Sequence, residues 1–237
     1  MSIKAVLFDL DGTLLPLDQD LFMKTYFGDL TGKLVSCGYD KDKFSTALIA
    51  GIKAMMINDG QKTNETVFWE VFTGFFGAEY VGSNMKCFDE FYDEEFDKVK
   101  RVCGFDKAAA ETVRELKKRG FLTALATNPA FPSVATEKRM AWAGLLPSDF
   151  DLYTTYENSG FCKPNLKYYE DVAHRLGVEP RECLMIGNDT LDDMEAEKLG
   201  MKVFLLTDNL VNRENKDISK YPRGGYAELK TFLEGIC

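Results

Sequence analysis

The chain has 237 residues, of which 45% are hydrophobic and 28% charged, and its formal net charge at pH 7 is −9. This composition is typical of a globular protein, and the length suffices for a core domain with a smaller inserted one. The negative charge argues against non-specific binding to nucleic acid or to anionic membranes, which requires clustered positive charge. It leaves room for a small anionic substrate, because a local cation can reverse the field inside a site.

The cysteines and the single histidine exclude several kinds of site. None of the six cysteines belongs to a CxxC pair, and His174 is the only histidine, so no site can have two histidine ligands. His174 falls within a helical pattern, and we expect it on a helix surface. The apolar run before Asp9 is too short for a signal peptide, and no stretch reaches the length of a membrane span. We expect a cytoplasmic protein with reduced thiols, and a monomer.

A strand and a long helical segment are the first predicted elements. Residues 3–8 (IKAVLF) form a short apolar run that ends at polar residues, as buried strands do. Residues 17–100 instead hold Phe, Met and Tyr at helical spacing and predict about four helices. We expect this segment to be an all-α cap domain, inserted into a core domain made of residues 1–16 and 101–237. The aromatic stripe of the insert predicts packing within the cap and comprises Phe68, Trp69, Phe72, Phe75 and Phe76.

Helical and strand patterns alternate after residue 101. The predicted strands are 121–127 (FLTALAT), 150–156 (FDLYTTY), 182–187 (ECLMIG) and 201–206 (MKVFLL). The predicted helices cover 106–120, 131–145, 164–177, 191–200 and 226–236. Alternation of this kind indicates a parallel sheet covered on both faces. The predicted fold is therefore an α/β, doubly wound, Rossmann-like core that is interrupted by the helical cap.

Polar side chains follow four of the predicted strands. They are Asp9 and Asp11, then Thr127 and Asn128, then Lys163, and finally Asn188, Asp189, Asp192 and Asp193. In open α/β sheets the site lies at the carboxyl ends of the strands, so we expect these side chains to meet at one edge.

Several carboxylates at one edge repel each other and require a cation. Hard oxygen ligands suit Mg²⁺, which keeps waters and binds through one or two carboxylates plus a phosphate. A lysine is a point charge suited to phosphate and to a nearby carboxylate. The residues themselves thus predict phosphoryl transfer, with a carboxylate as the nucleophile.

Four short motifs carry a resemblance to a known family. They are FDLDGTL (8–14), ALATN (124–128), CKP (162–164) and IGNDTLDD (186–193). In this order they resemble the four motifs of the haloacid dehalogenase superfamily of hydrolases. The resemblance spans the whole chain, and the helical insert is placed like the C1 cap of that family's phosphatases.

The resemblance implies a role for each matching residue. Asp9 is the nucleophile that forms an aspartyl-phosphate, and Asp11 is first the general acid and then the base. Thr127, with Asn128 beside it, binds the phosphoryl group, and Lys163 stabilises both Asp9 and the phosphoryl charge. Mg²⁺ is held by Asp9, by the backbone carbonyl of Asp11 and by an acid of the fourth motif. The family's dehalogenases lack the second Asp, so Asp11 disfavours halide displacement.

The fourth motif departs from the family's usual GD sequence. Gly187 is followed by Asn188 and then by Asp189, so either residue can occupy the metal-ligand position. We favour Asp189, because a carboxylate binds Mg²⁺ better than an amide, and we expect Asp193 behind it as the second acid. Asp192 is expected to be a solvated charge at a helix start, where the dipole favours acids.

The preferred function is a Mg²⁺-dependent phosphatase that acts on a small phosphorylated metabolite. The alternatives are a phosphomutase of the same superfamily and a non-catalytic binding protein on the same fold. Arg139 belongs to the predicted helix over 131–145 and is a candidate for contact with the substrate. We favour a position on the solvated face of that helix. The choice of substrate lies in the cap, which the motifs do not describe.

Overall fold

The structure is a computed structural model that describes residues 2–236. Its strands are β1 (Ala5–Phe8), β2 (Leu122–Leu125), β3 (Leu152–Tyr153), β4 (Cys183–Gly187), β5 (Lys202–Leu206) and β6 (Arg223–Gly224). They form one parallel sheet in the order β3-β2-β1-β4-β5-β6. This is the doubly wound order in which the winding direction reverses between β1 and β4. The predicted α/β fold class is confirmed.

Strand β1 lies in the middle of this sheet. Its residue Ala5 pairs with Leu122 of β2 on one side and with Cys183 of β4 on the other. All four β1 side chains are buried, which is why the strand is a continuous apolar run in the sequence. All five predicted strands are shorter than predicted, most clearly β2 (predicted over 121–127) and β3 (predicted over 150–156). Strand β6 was not predicted, since a two-residue edge strand has no hydrophobic pattern.

Helices cover both faces of the sheet and form the insert between β1 and β2. They are α1 (Gln19–Ser36), α2 (Lys41–Met56), α3 (Asn64–Phe76), α4 (Ala78–Ser83), α5 (Met85–Glu90), α6 (Lys107–Lys118), α7 (Ser133–Trp142), α8 (Leu166–Arg175) and α9 (Tyr226–Ile236). A π-helical turn (Phe91–Glu95) and a 3-10 helix (Phe96–Val102) end the insert. The segment predicted as a helix after β4 is a 3-10 helix, Met194–Leu199. His174 lies exposed in the last turn of α8, as predicted.

Local side-chain capping explains where the helices of the insert begin. Asp18, Asp40 and Thr63 each accept a hydrogen bond from the backbone N–H three residues further on. These bonds satisfy donors that have no partner within a helix. The predicted all-α cap is present, although it has five α-helices instead of about four. The additional break arises because Gly77 separates α3 from α4 and Asn84 separates α4 from α5.

The chain enters and leaves the cap at one place. Leu17 forms an antiparallel bridge with Cys103, and the backbone N–H of Gly104 donates to the carbonyl of Pro16 at 2.6 Å. These contacts close the neck of the insert. The domain borders at 16/17 and 100/101 stay a prediction. Of the aromatic stripe, Phe68 and Phe72 belong to the hydrophobic core and the other three rings pack against it.

A buried amide ties the cap to the core at a second place. Asn64 is the first residue of α3. Its side-chain Oδ1 accepts a hydrogen bond from Asn58 Nδ2 at 2.8 Å. Its own Nδ2 donates to the carbonyl of Pro129 at 3.1 Å and to Cys162 Sγ at 3.3 Å. Pro129 directly follows Asn128, and Cys162 directly precedes Lys163, so the cap contacts two of the loops that carry candidate site residues.

The expectation of reduced thiols is wrong for one pair of cysteines. Cys37, at the end of α1, and Cys87, in α5, form a disulfide within the cap. Their separation of 50 residues gives no local pattern by which the pairing could be predicted. Cys103, Cys162 and Cys183 are free, while Cys237 lies outside the described residues. No helix within residues 2–236 is both long enough and apolar enough to cross a membrane.

Candidate active site

The candidate site lies at the carboxyl ends of β1 and β4, where the winding of the sheet reverses. The backbone N–H of Asp9 donates to the carbonyl of Ile186 at 2.9 Å, so the chain after β1 stays beside β4. Gly12 has a φ of +84°, and a Cβ there would overlap the side chain of Asn188. A glycine is therefore required for the turn that brings Asp11 back towards the site.

Lys163 is the centre of the buried part of the site. Its Nζ donates to Asp9 Oδ1 at 2.9 Å and to Asp193 Oδ1 at 2.6 Å, and its side chain is only 1% exposed. Burial alone would lower the pKa of Lys163, but the carboxylates of Asp193 and Asp9 outweigh burial and hold that pKa well above its ordinary value. Both carboxylates favour the charged ammonium, which links two other predicted site residues, Asp9 and Asp193.

Arg139 is fully buried and pairs with Asp11, so the expected solvated helix face is wrong. Its Nη1 donates to Asp11 Oδ2, its Nε donates to the carbonyl of Ala135 at 3.3 Å, and its guanidinium lies 4.0 Å from the Phe131 ring centroid. Helix α7 packs beneath the cap, which removes this side chain from water. A lone arginine in a helix gives no sign of burial when its partner lies 128 residues away.

Two opposing effects act on the pKa of Asp11. Burial raises this pKa above its ordinary value, and the positive charge of Arg139 opposes the rise without cancelling it. The other carboxylate oxygen, Oδ1, is buried and has no hydrogen-bond partner. Such an orphaned oxygen requires a ligand, an ion or a proton.

The fourth motif places Asn188 and Asp189 in different environments. Asn188 Oδ1 accepts from Thr13 Oγ1 at 3.0 Å, and its Nδ2 donates to the carbonyl of Asn209 at 2.6 Å. Both ends of this amide are therefore used inside the protein. Asp189 Oδ1 accepts from two backbone N–H groups of the next turn, while its side chain borders the site cavity. Asp193 Oδ2 in turn accepts from the backbone N–H of Asp189 at 2.9 Å.

Asp192 is half-buried instead of solvated, because it lies inside the same cavity. Its Oδ2 accepts from Asn128 Nδ2 at 3.3 Å. Burial, reinforced by the charge of Asp189, raises the pKa of Asp192 to about 6, although Lys163 opposes the rise. Thr127 is buried beside Asn128, and its carbonyl accepts hydrogen bonds from Thr154 Oγ1 and Tyr168 Oη.

A cavity of about 570 Å³ opens between the core and the cap above these residues. From the core it is bordered by Asp11, Asn128, Asp189 and Asp192. Asp9 and Lys163 do not line this cavity; the Asp9 side chain is 12% exposed, and Asp11, two residues further on, borders the cavity. The volume is that of a small-molecule site.

The oxygen atoms of this site suit a hard divalent cation. Within residues 2–236 no three acidic, histidine or cysteine side chains form a ready-made metal cluster. The donor chemistry nevertheless fits Mg²⁺, which needs few protein ligands and keeps several waters. The carboxylates of Asp9 and of the cavity-lining Asp189 are the side-chain oxygens that such an ion can use, and the orphaned Oδ1 of Asp11 is left for a proton.

Residues 3–200 match the family model described as haloacid dehalogenase-like hydrolase. The chain belongs to this family of hydrolases. The resemblance drawn from the four motifs is thereby confirmed.

Individual relatives are more distant. Pyrophosphatase PpaX of Bacillus cereus (strain AH820) is 26% identical over 90% of this chain and 87% of its own length. Glyceraldehyde 3-phosphate phosphatase of Methanothermobacter thermautotrophicus is 32% identical, over 30% of this chain and 32% of its own. The crystal structure of a haloacid dehalogenase-type phosphatase from Thermococcus onnurineus superposes with a TM-score of 0.58, covering 98% of this chain and 99% of that one at 22% identity. This last likeness bears on the fold.

We predict that Arg139→Met lowers the free energy of unfolding by about 3–5 kcal/mol, because it leaves the buried Asp11 without its partner. Urea denaturation measures the change. Arg175→Met is the matched control, since Arg175 pairs with Asp171 at the surface and its loss should cost less than about 1 kcal/mol. Equal costs for the two variants would contradict the assigned role of the Arg139–Asp11 pair.

Proposed function

We propose that the protein is a Mg²⁺-dependent phosphatase that hydrolyses a small phosphorylated metabolite through an aspartyl-phosphate on Asp9. The observation that carries the proposal is the buried ammonium of Lys163, which lies 2.9 Å from Asp9 Oδ1 and 2.6 Å from Asp193 Oδ1. A fixed cation at this point offsets the negative charge of Asp9, and it is placed to meet the negative charge of a phosphoryl group.

In the first half of the reaction, a carboxylate oxygen of Asp9 attacks phosphorus and the bond from phosphorus to the ester oxygen breaks. Asp11 donates its proton to the leaving oxygen, so that an alcohol departs. Burial raises the pKa of Asp11, which favours the protonated acid that this step requires. Arg139 holds the other oxygen of Asp11 and fixes the direction in which the carboxyl group points.

In the second half, Asp11 accepts a proton from water while the water oxygen attacks the phosphorus of the aspartyl-phosphate. The bond between phosphorus and Asp9 breaks, and inorganic phosphate leaves with Asp9 regenerated. The charge of Lys163 stabilises the phosphoryl oxygens in both halves. Thr127 and Asn128 lie at the end of the neighbouring strand β2, where their polar groups can hold the same oxygens.

Asp9, the backbone carbonyl of Asp11 and Asp189 are the groups that would hold Mg²⁺. When bound, the ion supplies a positive charge that offsets repulsion between the carboxylates and the phosphate. Asp189 is preferred over Asn188 because both ends of the Asn188 amide already have partners within the protein. Asp193 lies behind Asp189 and orients it through a backbone hydrogen bond.

Names of relatives support the phosphatase class, since one is a pyrophosphatase and another a glyceraldehyde 3-phosphate phosphatase. A phosphomutase would use the same residues but return the phosphoryl group to a second hydroxyl of the substrate. A non-catalytic binding protein would have no use for the paired Asp9 and Lys163. Cytoplasmic location and the monomeric state stay predictions.

We predict that Asp9→Asn lowers kcat/KM for p-nitrophenyl phosphate by at least about a thousandfold, because an amide cannot act as the nucleophile. The rate is measured with Mg²⁺ and with EDTA, and wild-type activity should depend on the metal. Asp171→Asn, which changes a surface carboxylate, is the control and should retain activity. Wild-type turnover that persists in Asp9→Asn would overturn the mechanism.

We predict that Asp189→Asn weakens Mg²⁺ binding by at least about tenfold, since it exchanges a charged ligand for a neutral one. Magnesium titration of the melting temperature gives the affinity without any turnover. Asn188→Ser is the companion variant and should leave the affinity within about threefold. A larger loss in Asn188→Ser than in Asp189→Asn would assign the metal to the other register.

A further inference from the structure

The cap side of the catalytic cavity is mostly apolar, and its polar residues are Gln19, Asp20 and Lys53. Met23 and Phe27 on α1 and Ile52 on α2 border the same cavity of about 570 Å³ as Asp11 and Asn128. A phosphate bound over Asp9 would therefore leave its ester group facing thioether, aromatic and aliphatic surface. Such surface favours apolar ligands and offers no hydrogen bonds.

Helix α2 is apolar on two faces, although packing within the cap uses only one. Phe44, Leu48 and Met55 are buried in the cap interior. Ile49 and Met56 are 48% and 37% exposed, and with Ile52 they form an i, i+3, i+7 stripe that borders the cavity. An amphipathic helix would place polar residues on this second face. The stripe thus indicates a surface that an apolar group covers when the site is filled.

A second, enclosed cavity of about 60 Å³ extends the same apolar space into the cap. The two cavities share the side chains of Met23, Ile52, Ala130 and Phe131. The smaller cavity is lined mainly by aromatic and aliphatic side chains. The hydroxyl groups of its two central tyrosines, Tyr26 and Tyr92, hydrogen-bond each other at 2.7 Å. Their polar ends are therefore satisfied, and an apolar cavity of this kind stays dry and accepts apolar ligands.

Two cations border the cavity, and neither of them is buried. Lys53 and Arg213 are exposed, and Arg213 already pairs with Asp20 at 3.0 Å. A second phosphoryl group next to the reacting one would face Met23, Phe27 and Ile52 instead of buried positive charge. Burying such an anion without a partner is costly. The hydroxyl groups of a polyol would likewise lose hydrogen bonds to water without replacement.

We propose that the substrate is a phosphate monoester whose alcohol carries an apolar alkyl or aryl body, which packs against α1 and α2 and extends towards the enclosed aromatic cavity. This inference rests on the proposed function, since it assigns the leaving group of the same reaction. Inorganic pyrophosphate and sugar phosphates are poorer substrates on this account.

Hexyl phosphate, glycerol 3-phosphate and pyrophosphate test the inference, with phosphate release measured in the presence of Mg²⁺. Hexyl phosphate and glycerol 3-phosphate both release a primary alcohol, so the reactivity of the ester bond that breaks is similar. A difference in kcat/KM therefore reflects how the cavity binds the rest of the alcohol. We expect kcat/KM for hexyl phosphate to exceed that for glycerol 3-phosphate and for pyrophosphate by at least about tenfold.

Substitutions on α2 test whether its apolar side chains cause the preference for hexyl phosphate. Ile52→Gln, or Ile49→Gln should the first variant fold poorly, is expected to lower the ratio of kcat/KM for hexyl phosphate to kcat/KM for glycerol 3-phosphate about tenfold. Ile57→Gln is the matched control, because Ile57 follows the same helix but is 84% exposed. Calorimetric binding of hexylphosphonate, which cannot be hydrolysed as an ester, gives the same comparison without turnover.

Preference for glycerol 3-phosphate or pyrophosphate, or equal losses in Ile52→Gln and Ile57→Gln, would overturn the inference and leave the proposed phosphatase intact. Absence of phosphate release from all three compounds would count against the proposed function instead. In that case weaker hexylphosphonate binding by Ile52→Gln than by Ile57→Gln would still support the apolar subsite, and equal binding would overturn it.

Discussion

Two carboxylates, Asp9 and Asp11, lie at the buried end of the central strand, and the surrounding structure compensates them. Each has one cationic partner taken from a distant part of the chain, Lys163 for Asp9 and Arg139 for Asp11. Without those cations, burying two neighbouring carboxylates would be costly, because nothing would offset their negative charges. The carboxylate of Asp193 holds Lys163 from its other side, and Asn64 ties the adjoining loop to the cap.

The two ion pairs differ in what they leave free. Lys163 has a second carboxylate partner in Asp193, so its charge does not depend on Asp9 alone. Asp11 keeps one buried oxygen, Oδ1, that has no hydrogen-bond partner within the protein. In the proposed mechanism this oxygen is the one left to carry the proton. The same pairing therefore supplies a fixed charge at one carboxylate and an available acceptor at the other, as a nucleophile and an acid–base group require.

The sheet was predicted from apolar runs in the sequence, and the candidate site from the polar residues that follow those runs. Strand β1 was predictable because a strand buried on both faces is a continuous apolar run, and Asp9, Lys163 and Asp189 followed because polar residues end such strands. Arg139 was misplaced because its partner is remote in the chain. Two further features were not predicted: the disulfide between Cys37 and Cys87, and the hydrogen bonds by which Asn64 ties the cap to the core. Both depend on how the helices of the cap pack, which no local sequence pattern encodes. The sequence analysis did not single out the apolar stripe at Ile49, Ile52 and Met56, because its significance depends on the cavity that it borders.

The central claim is that Asp9 carries the phosphoryl group during turnover. Enzyme mixed with substrate and Mg²⁺ can be quenched in acid and treated with sodium borohydride, which reduces an acyl phosphate to the alcohol. Peptide mass spectrometry then locates the reduced residue. The account predicts homoserine at position 9, only when substrate is present. Reduction at another carboxylate, or none under conditions where release of the alcohol shows an initial burst, would contradict it.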